Sequence, residues 1–232
     1  MKDVKAEKNK FVPRIDTELK KRLVKIPEVI YKASGIQIMD KRIKSFLFTN
    51  DVSIICNSNA HAIMCVYPFT PQLSIIKSIL DVASVPVFPG VGGGTTTGAR
   101  TLNIAMQAEL LGAHGVVVNA PMINETITDL KEILDVPVIA TVISKKDDII
   151  GKVKAGARIL NVAGGKKTPE LVRECRKILG DEFPIIATGG HTDEHILETI
   201  QAGANAITYT PKSSSEIFSD VMDEYRKSKE DM

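Results

Sequence analysis

A chain of 232 residues, 44% hydrophobic but only 5% aromatic and without Trp, has the size of one α/β barrel and must build its interior from Val, Ile, Leu and Ala, which suits parallel strands buried on both faces. With 30 basic and 28 acidic residues interleaved to a net charge of +2, it lacks the electrostatic footprint of a nucleic-acid binder. Cys56, Cys65 and Cys175 are odd in number and form no CxxC pair, which argues against a disulfide framework or a structural zinc site and fits a reducing cytoplasm.

The N-terminus, MKDVKAEKNKFVPR, is basic with no apolar run behind it, so it reads neither as a secretory signal nor as a membrane anchor. Residues 1–12 are expected to form a disordered tail. From 14 to 25, Ile15, Leu19, Leu23 and Val24 share one helical face, with Asp16 near its start, which predicts a surface helix as an N-terminal extension. Residues 26–44, with Pro27, Gly35 and the run IQIMDKRIKS, predict a short helix followed by an irregular or hairpin-like connection.

From Ser45 the pattern becomes periodic. Apolar runs at 45–49, 62–68, 85–90, 115–121, 136–142, 158–164, 184–190 and 206–211 give eight candidate strands, separated by helix patterns at 71–83, 99–111, 124–134, 147–154, 169–179 and 192–201 and followed by one at 215–227. Only residues 50–59 separate the first two strands, leaving room for about two helical turns. Gly112-Ala113, Gly156-Ala157 and Gly203-Ala204 each precede a strand, as glycine just beyond a helix end should. Pro86, Pro137 and Pro184 open the alternate strands. The fold class predicted is α/β, a (β/α)8 TIM barrel with an N-terminal helical extension, residues 13–232 forming a single barrel domain; an open, doubly wound sheet is the alternative.

In such a barrel functional residues follow the strands, at the face where the βα loops meet. The longest glycine-rich stretch, PGVGGGTTTGAR at 89–100, matches neither the dinucleotide fingerprint nor a P-loop. Gly92, Gly93 and Gly94 are expected instead in a mobile loop that offers N–H and hydroxyl groups to an oxyanion. Gly189 and Gly190, followed by a helix start at Thr192, suit a phosphate, as do Thr210, Lys212 and Ser213 after the last strand. Gly164, Gly165 and Lys166 extend the same anion site. Asn119 and Asn161 are amides in apolar strands, placed to bond a ligand or each other's strands. Of four histidines, none has metal-ligand spacing, and only His191 falls at a strand mouth. His191 is therefore the first acid/base candidate and Asp51, directly after the first strand, the second. His61, His114 and His195 read as loop or helix-surface residues, Cys65 as a small core residue, and Glu125 as a first-turn helix residue.

The stretch ATGGHTD followed by QAGANAITYTP resembles the phosphate-binding (β/α)8 barrels, among them phosphoribosylanthranilate isomerase, thiamine-phosphate synthase, indoleglycerol-phosphate synthase and ketodeoxyphosphogluconate aldolase. The closer similarity covers about the last quarter of the chain. The whole sequence also resembles a bacterial barrel family that carries only the label "hydrolase". The resemblance implies a phosphosugar or phosphorylated heterocycle bound at the mouth. Neither VPVIATV nor ILNVAGG carries a Schiff-base lysine, no His/carboxylate cluster forms a metal site, and GxSxG does not occur. The expected activity is thus a metal-independent acid/base isomerase or lyase, without a cofactor. A non-catalytic phosphometabolite sensor and a hydrolase are the alternatives. The expected partner is this phosphorylated ligand, not nucleic acid or a membrane, and a homo-oligomer is compatible with the sequence.

Overall fold

The computed structural model describes residues 23–230 together with 11, 13, 15 and 17. The expected tail and most of the expected helix at 14–25 lie outside the described residues. Where that helix was to end, Val24 is extended: its N–H donates to the Asn57 carbonyl at 2.7 Å and it bridges Ser58 in parallel. Among the described residues the extension is helical only in a short 3-10 segment, Glu28–Lys32.

The connection at 26–44 contains an antiparallel hairpin of β1 (Ile36–Ile38) and β2 (Lys41–Ile43). Its two turn residues, Met39 and Asp40, both have positive φ, the geometry that matches the twist of a two-residue hairpin. Eight strands follow: β3 (Ser45–Phe48), β4 (Ala62–Cys65), β5 (Val87–Gly92), β6 (Val116–Val118), β7 (Val138–Val142), β8 (Ile159–Val162), β9 (Ile185–Thr188) and β10 (Ala206–Tyr209). Each pairs in parallel with the next, and β10 returns to pair with β3, so the sheet is a closed barrel rather than an open one. The helices between and after the strands are α1 (Val52–Cys56), α2 (Leu73–Val82), α3 (Gly98–Leu110), α4 (Asn124–Ile133), α5 (Ile149–Ala155), α6 (Thr168–Leu179), α7 (Asp193–Gln201) and α8 (Ser214–Glu230). Among the described residues no helix is long and apolar enough to cross a membrane.

The three Gly-Ala pairs end α3, α5 and α7 in one shared way. The alanine N–H reaches back five residues, from Ala113 to Ala108, Ala157 to Lys152 and Ala204 to Thr199, while the glycine takes a positive φ. This pattern satisfies the last carbonyls of the helix and aims the chain back into the barrel. Arg176 on α6 ties the same end together. Its guanidinium donates to the carbonyls of Gly180, Phe183 and Gly203 and to Asn205 Oδ1 at 2.6–3.0 Å.

Strand alternation divides the interior into two cores. Outward residues such as Leu47, Ile63, Val116, Ala140, Leu160 and Ile207 pack under the helices. Inward residues Phe46, Met64, Phe88, Val117, Ile139, Ile159 and Ile186 fill the lumen, and Ile36, Ile38 and Ile43 of the hairpin pack with them. The hairpin thereby closes the floor, which leaves the other end as the open one.

Candidate functional site

Each of five successive strands steps from an aliphatic to a polar residue at its next inward position. The pairs are Val117 and Asn119, Ile139 and Thr141, Ile159 and Asn161, Ile186 and Thr188, and Ala206 and Thr208. All five polar side chains line one cavity of about 770 Å³ at the C-terminal end of the barrel. Phe48 and Met64 form its apolar side, and its rim is made by Ala163, Gly165, Lys166, Gly189, Gly190, His191, Thr192, His195 and Thr210.

The polar ring is internally bonded. Asn161 Nδ2 donates to Thr141 Oγ1 at 3.3 Å, and Thr141 Oγ1 donates to Asn119 Oδ1 at 3.4 Å. Thr188 and Thr168 place their hydroxyls 3.0 Å apart, and Thr208 donates to the Ala187 carbonyl at 3.3 Å. Asn161 Oδ1 is buried and has no hydrogen-bond partner among the described residues.

At the rim, two loops face the cavity. After β8 a 3-10 turn, Gly165–Lys167, leads into α6, and the Thr168 hydroxyl accepts from the Gly164 N–H at 3.1 Å. After β9, Gly189 is packed so tightly that a Cβ there would stand 2.6 Å from Ile207 Cγ2. Gly190 has φ +76° and lies against the His195 ring, so both a side chain and an ordinary backbone are disfavoured there. Thr192 then caps α7 by accepting the His195 N–H at 3.2 Å. The N–H groups of Gly165, Lys166, Gly190 and His191 donate to no acceptor among the described residues. Lys166 has no ion-pair partner there either.

Of the residues expected at an anion site, the structure gathers Gly165, Lys166, Gly189, Gly190, Thr210, Asn119 and Asn161 around this cavity, together with His191. Gly164 lines a neighbouring cavity of about 490 Å³ with Lys145, Lys146, Lys167 and Glu170. Others lie elsewhere. Lys212 is turned to Asp220 on α8 at 2.7 Å, and the hydrogen bond that it donates to that carboxylate holds its ammonium pKa above the ordinary lysine value. Ser213 bonds Glu216 through both its N–H and its hydroxyl at 2.7 Å, so it starts α8 rather than lining the cavity. Gly92 continues β5 beside Thr101. The Gly93 and Gly94 N–H groups already donate to the carbonyls of Thr96 and Pro121 at 2.9 and 3.2 Å, which leaves neither free for an oxyanion.

Asp51 sits away from the cavity wall as well. One carboxylate oxygen accepts the N–H groups of Ser53 and Ile54 and the Ser53 hydroxyl, and the other accepts the N–H and hydroxyl of Ser214. It thus caps α1 and fixes the start of α8 with one side chain. Partial burial opposes ionisation, but the bonds from Ser214, Ser53 and Ile54 outweigh it and hold the carboxyl well below the usual carboxylate range. Glu125 is exposed in the first turn of α4, as expected.

Three lining hydroxyls, Thr141, Thr188 and Thr208, and the ring of His195 were not singled out by the sequence reading. The threonines had a usable signal: each stands two positions after an inward aliphatic residue. His195 had none, because its approach to the cavity depends on the missing side chain of Gly190.

The chain matches no protein-family model and no curated protein. Its fold is found among solved structures. Phosphonopyruvate hydrolase, solved with oxalate and Mg²⁺, aligns at a TM-score of 0.60 and 13% identity over 82% of this chain and 83% of its own. Phosphoenolpyruvate phosphomutase from Streptomyces platensis subsp. rosaceus aligns at 0.61 and 12% over 85% and 83%. The 4-hydroxy-tetrahydrodipicolinate synthase of Methylacidiphilum fumariolicum SolV aligns at 0.58 and 14% over 76% and 68%. At these identities the likeness concerns the barrel.

Proposed function

We propose that the cavity binds a small phosphorylated metabolite, with the phosphoryl group held at the rim by Lys166 and the N–H groups of Gly165, Gly190 and His191. The observation that carries this reading is the charge character of the wall. Among the described residues it includes one lysine, two imidazoles and no carboxylate, beside backbone N–H groups without an acceptor. Such a set favours an oxyanion and suits a dianionic phosphate. Two structural neighbours are named for phosphonopyruvate and phosphoenolpyruvate, which supports a phosphorus-containing ligand of this size.

The activity proposed is a metal-independent acid/base isomerisation or lyase reaction, with the His191 imidazole moving a proton beside a carbonyl of the bound ligand. The Mg²⁺ of the hydrolase neighbour has no counterpart in these residues. Magnesium seeks carboxylate oxygens, and the cavity wall contains none. Among the described residues no group of three or more His, Cys, Asp or Glu could hold a metal. A ligand-sensing role is the second reading, favoured by the deep wall, whose polar side chains among the described residues are amides and hydroxyls.

A thermal-shift screen of sugar phosphates and short phosphorylated acids tests the binding, since a ligand of the native state raises the melting temperature. Lys166→Gln is expected to weaken the best ligand about tenfold, the order lost with one charged hydrogen bond; an unchanged affinity would move the phosphate elsewhere. His191→Ala should retain binding and lose turnover. Retained turnover would remove His191 from the chemistry, and no turnover in the native protein with any ligand that binds would favour the sensor.

A further inference from the structure

We infer that His195 is a side-chain ligand of the anion at the rim, donating from its imidazole Nε2, and that Gly190 lacks a side chain in order to seat that ring. The inference rests on the rim's holding an anion, as proposed above.

His195 stands in the first turn of α7, half-buried, and lines the cavity. Its main chain is fixed on both sides. The N–H donates to the Thr192 hydroxyl at 3.2 Å, and the carbonyl accepts the Thr199 hydroxyl at 2.8 Å. The ring itself is placed by a backbone contact. A Cβ at Gly190 would overlap His195 Cδ2 and stand 3.2 Å from Nε2, so the ring edge that carries Nε2 lies on the glycine. The positive φ of Gly190 already disfavours other residues there, and the space that a side chain would take is used by the imidazole instead.

The ring nitrogens are also unspent. Neither bonds to a protein group among the described residues, and unlike Asn161 Oδ1 neither is sealed from solvent. The other two helix- or loop-borne rings differ: His61 Nδ1 accepts the Lys44 N–H at 3.1 Å beside Tyr31, and His114 packs on Phe88. His195 Nε2 lies instead beside Gly190, whose N–H has no acceptor. An anion bonded to that N–H therefore meets the imidazole edge next to it. Imidazole donates from Nε2 either as the neutral tautomer protonated there or as the cation. It thus adds a side-chain donor from α7 to the backbone N–H groups, while Lys166 approaches from the neighbouring loop after β8.

Inorganic phosphate is the probe, titrated into the native protein and followed by proton–nitrogen NMR correlations of the backbone and of the imidazole rings. The His195 Nε2 signal is expected to shift together with the Gly190 N–H. His195→Leu should weaken phosphate about tenfold, the order lost with one hydrogen bond to a charged group. His195→Gln keeps an N–H donor and should stay within about threefold of the native affinity, a rescue that a merely structural ring would not show. Gly190→Ala should weaken phosphate at least as much as His195→Leu, and combining the two should lose nothing further, because the ring has already been turned away. If His195 Nε2 stays still while the Gly190 N–H shifts, or if His195→Leu binds like the native protein while Lys166→Gln binds less, the inference is overturned and the rim reading stands. If millimolar phosphate moves no rim signal, the rim reading falls and takes the inference with it. The native titration needs no variant, so a poorly folding His195→Leu does not protect the idea.

Discussion

The two ends of the barrel lumen are built from the same strands, and they differ by one inward step. At the floor, Ile139, Ile159 and Ile186 meet Phe46, Phe88 and the hairpin side chains Ile36, Ile38 and Ile43. Two residues later, Thr141, Asn161 and Thr188 meet a cavity. The floor residues gain by leaving water, at about 25 cal/mol for each Å² of apolar surface removed, whereas the mouth residues gain only when their polar groups find partners. Stability and recognition can thus be separated along a strand within about 7 Å, the rise of two residues. Mutations at the floor should cost stability, and mutations at the mouth should cost binding.

The largest effect tests the floor. Phe88 is fully buried, and its ring meets Phe46 edge-on with centroids 5.2 Å apart. Phe88→Ala removes the transfer free energy of a whole ring and leaves a cavity, so a loss of about 3–5 kcal/mol is expected in urea unfolding. Ligand affinity of the folded fraction should hardly change. A large affinity loss with little destabilisation would break the division between floor and mouth.

Much of this division was legible beforehand. The alternation of apolar runs with helix patterns, and the Gly-Ala and Pro punctuation between them, located all eight strands because each signal is local. Residues 26–44 suggested a hairpin, but not its task. That Ile36, Ile38 and Ile43 close a floor follows only once β10 pairs with β3 and a lumen exists. The mouth was legible as a set of positions rather than as a set of directions. Asn119 and Asn161 stand out as amides in apolar strands, and His191 as the one histidine at a strand mouth. Lys212 and Asp51 occupy equivalent loop positions, yet their partners, Asp220 and Ser214, lie on α8, which sequence distance alone does not bring near.

Asp51 sharpens the comparison, since it belongs to the mouth end by position and to stability by its bonds. Asp51→Ala removes the cap of α1 and the anchor of α8, for an expected loss of about 1–2 kcal/mol at neutral pH. The sign of its pH dependence follows from a folded-state pKa depressed below the unfolded value. The stabilisation is complete above the unfolded pKa of about 4 and is lost as the pH falls from there through the folded pKa. The gap between native and Asp51→Ala unfolding curves should therefore be full at neutral pH and begin to narrow as the pH drops below about 4. A gap that grows on acidification would show that the carboxylate is not held by these donors.

The smallest effect belongs to Lys212, and it bears on where the phosphate sits. Its ammonium pairs with Asp220, and both side chains are more than half exposed, at 65% and 57%. Exposed pairs of this kind contribute little, because solvent screens them and two long side chains must be held still. Lys212→Ala should leave the unfolding midpoint within measurement error. It should also leave the affinity for a sugar phosphate within about twofold, as befits a surface residue outside the contact set, while Lys166→Gln lowers that affinity about tenfold. The opposite order, with Lys212→Ala weakening binding and Lys166→Gln silent, would mean that Lys212 leaves Asp220 when the ligand arrives and that the phosphoryl group lies over β10. In that case the rim would have to be redrawn around Thr210, which also lines the cavity.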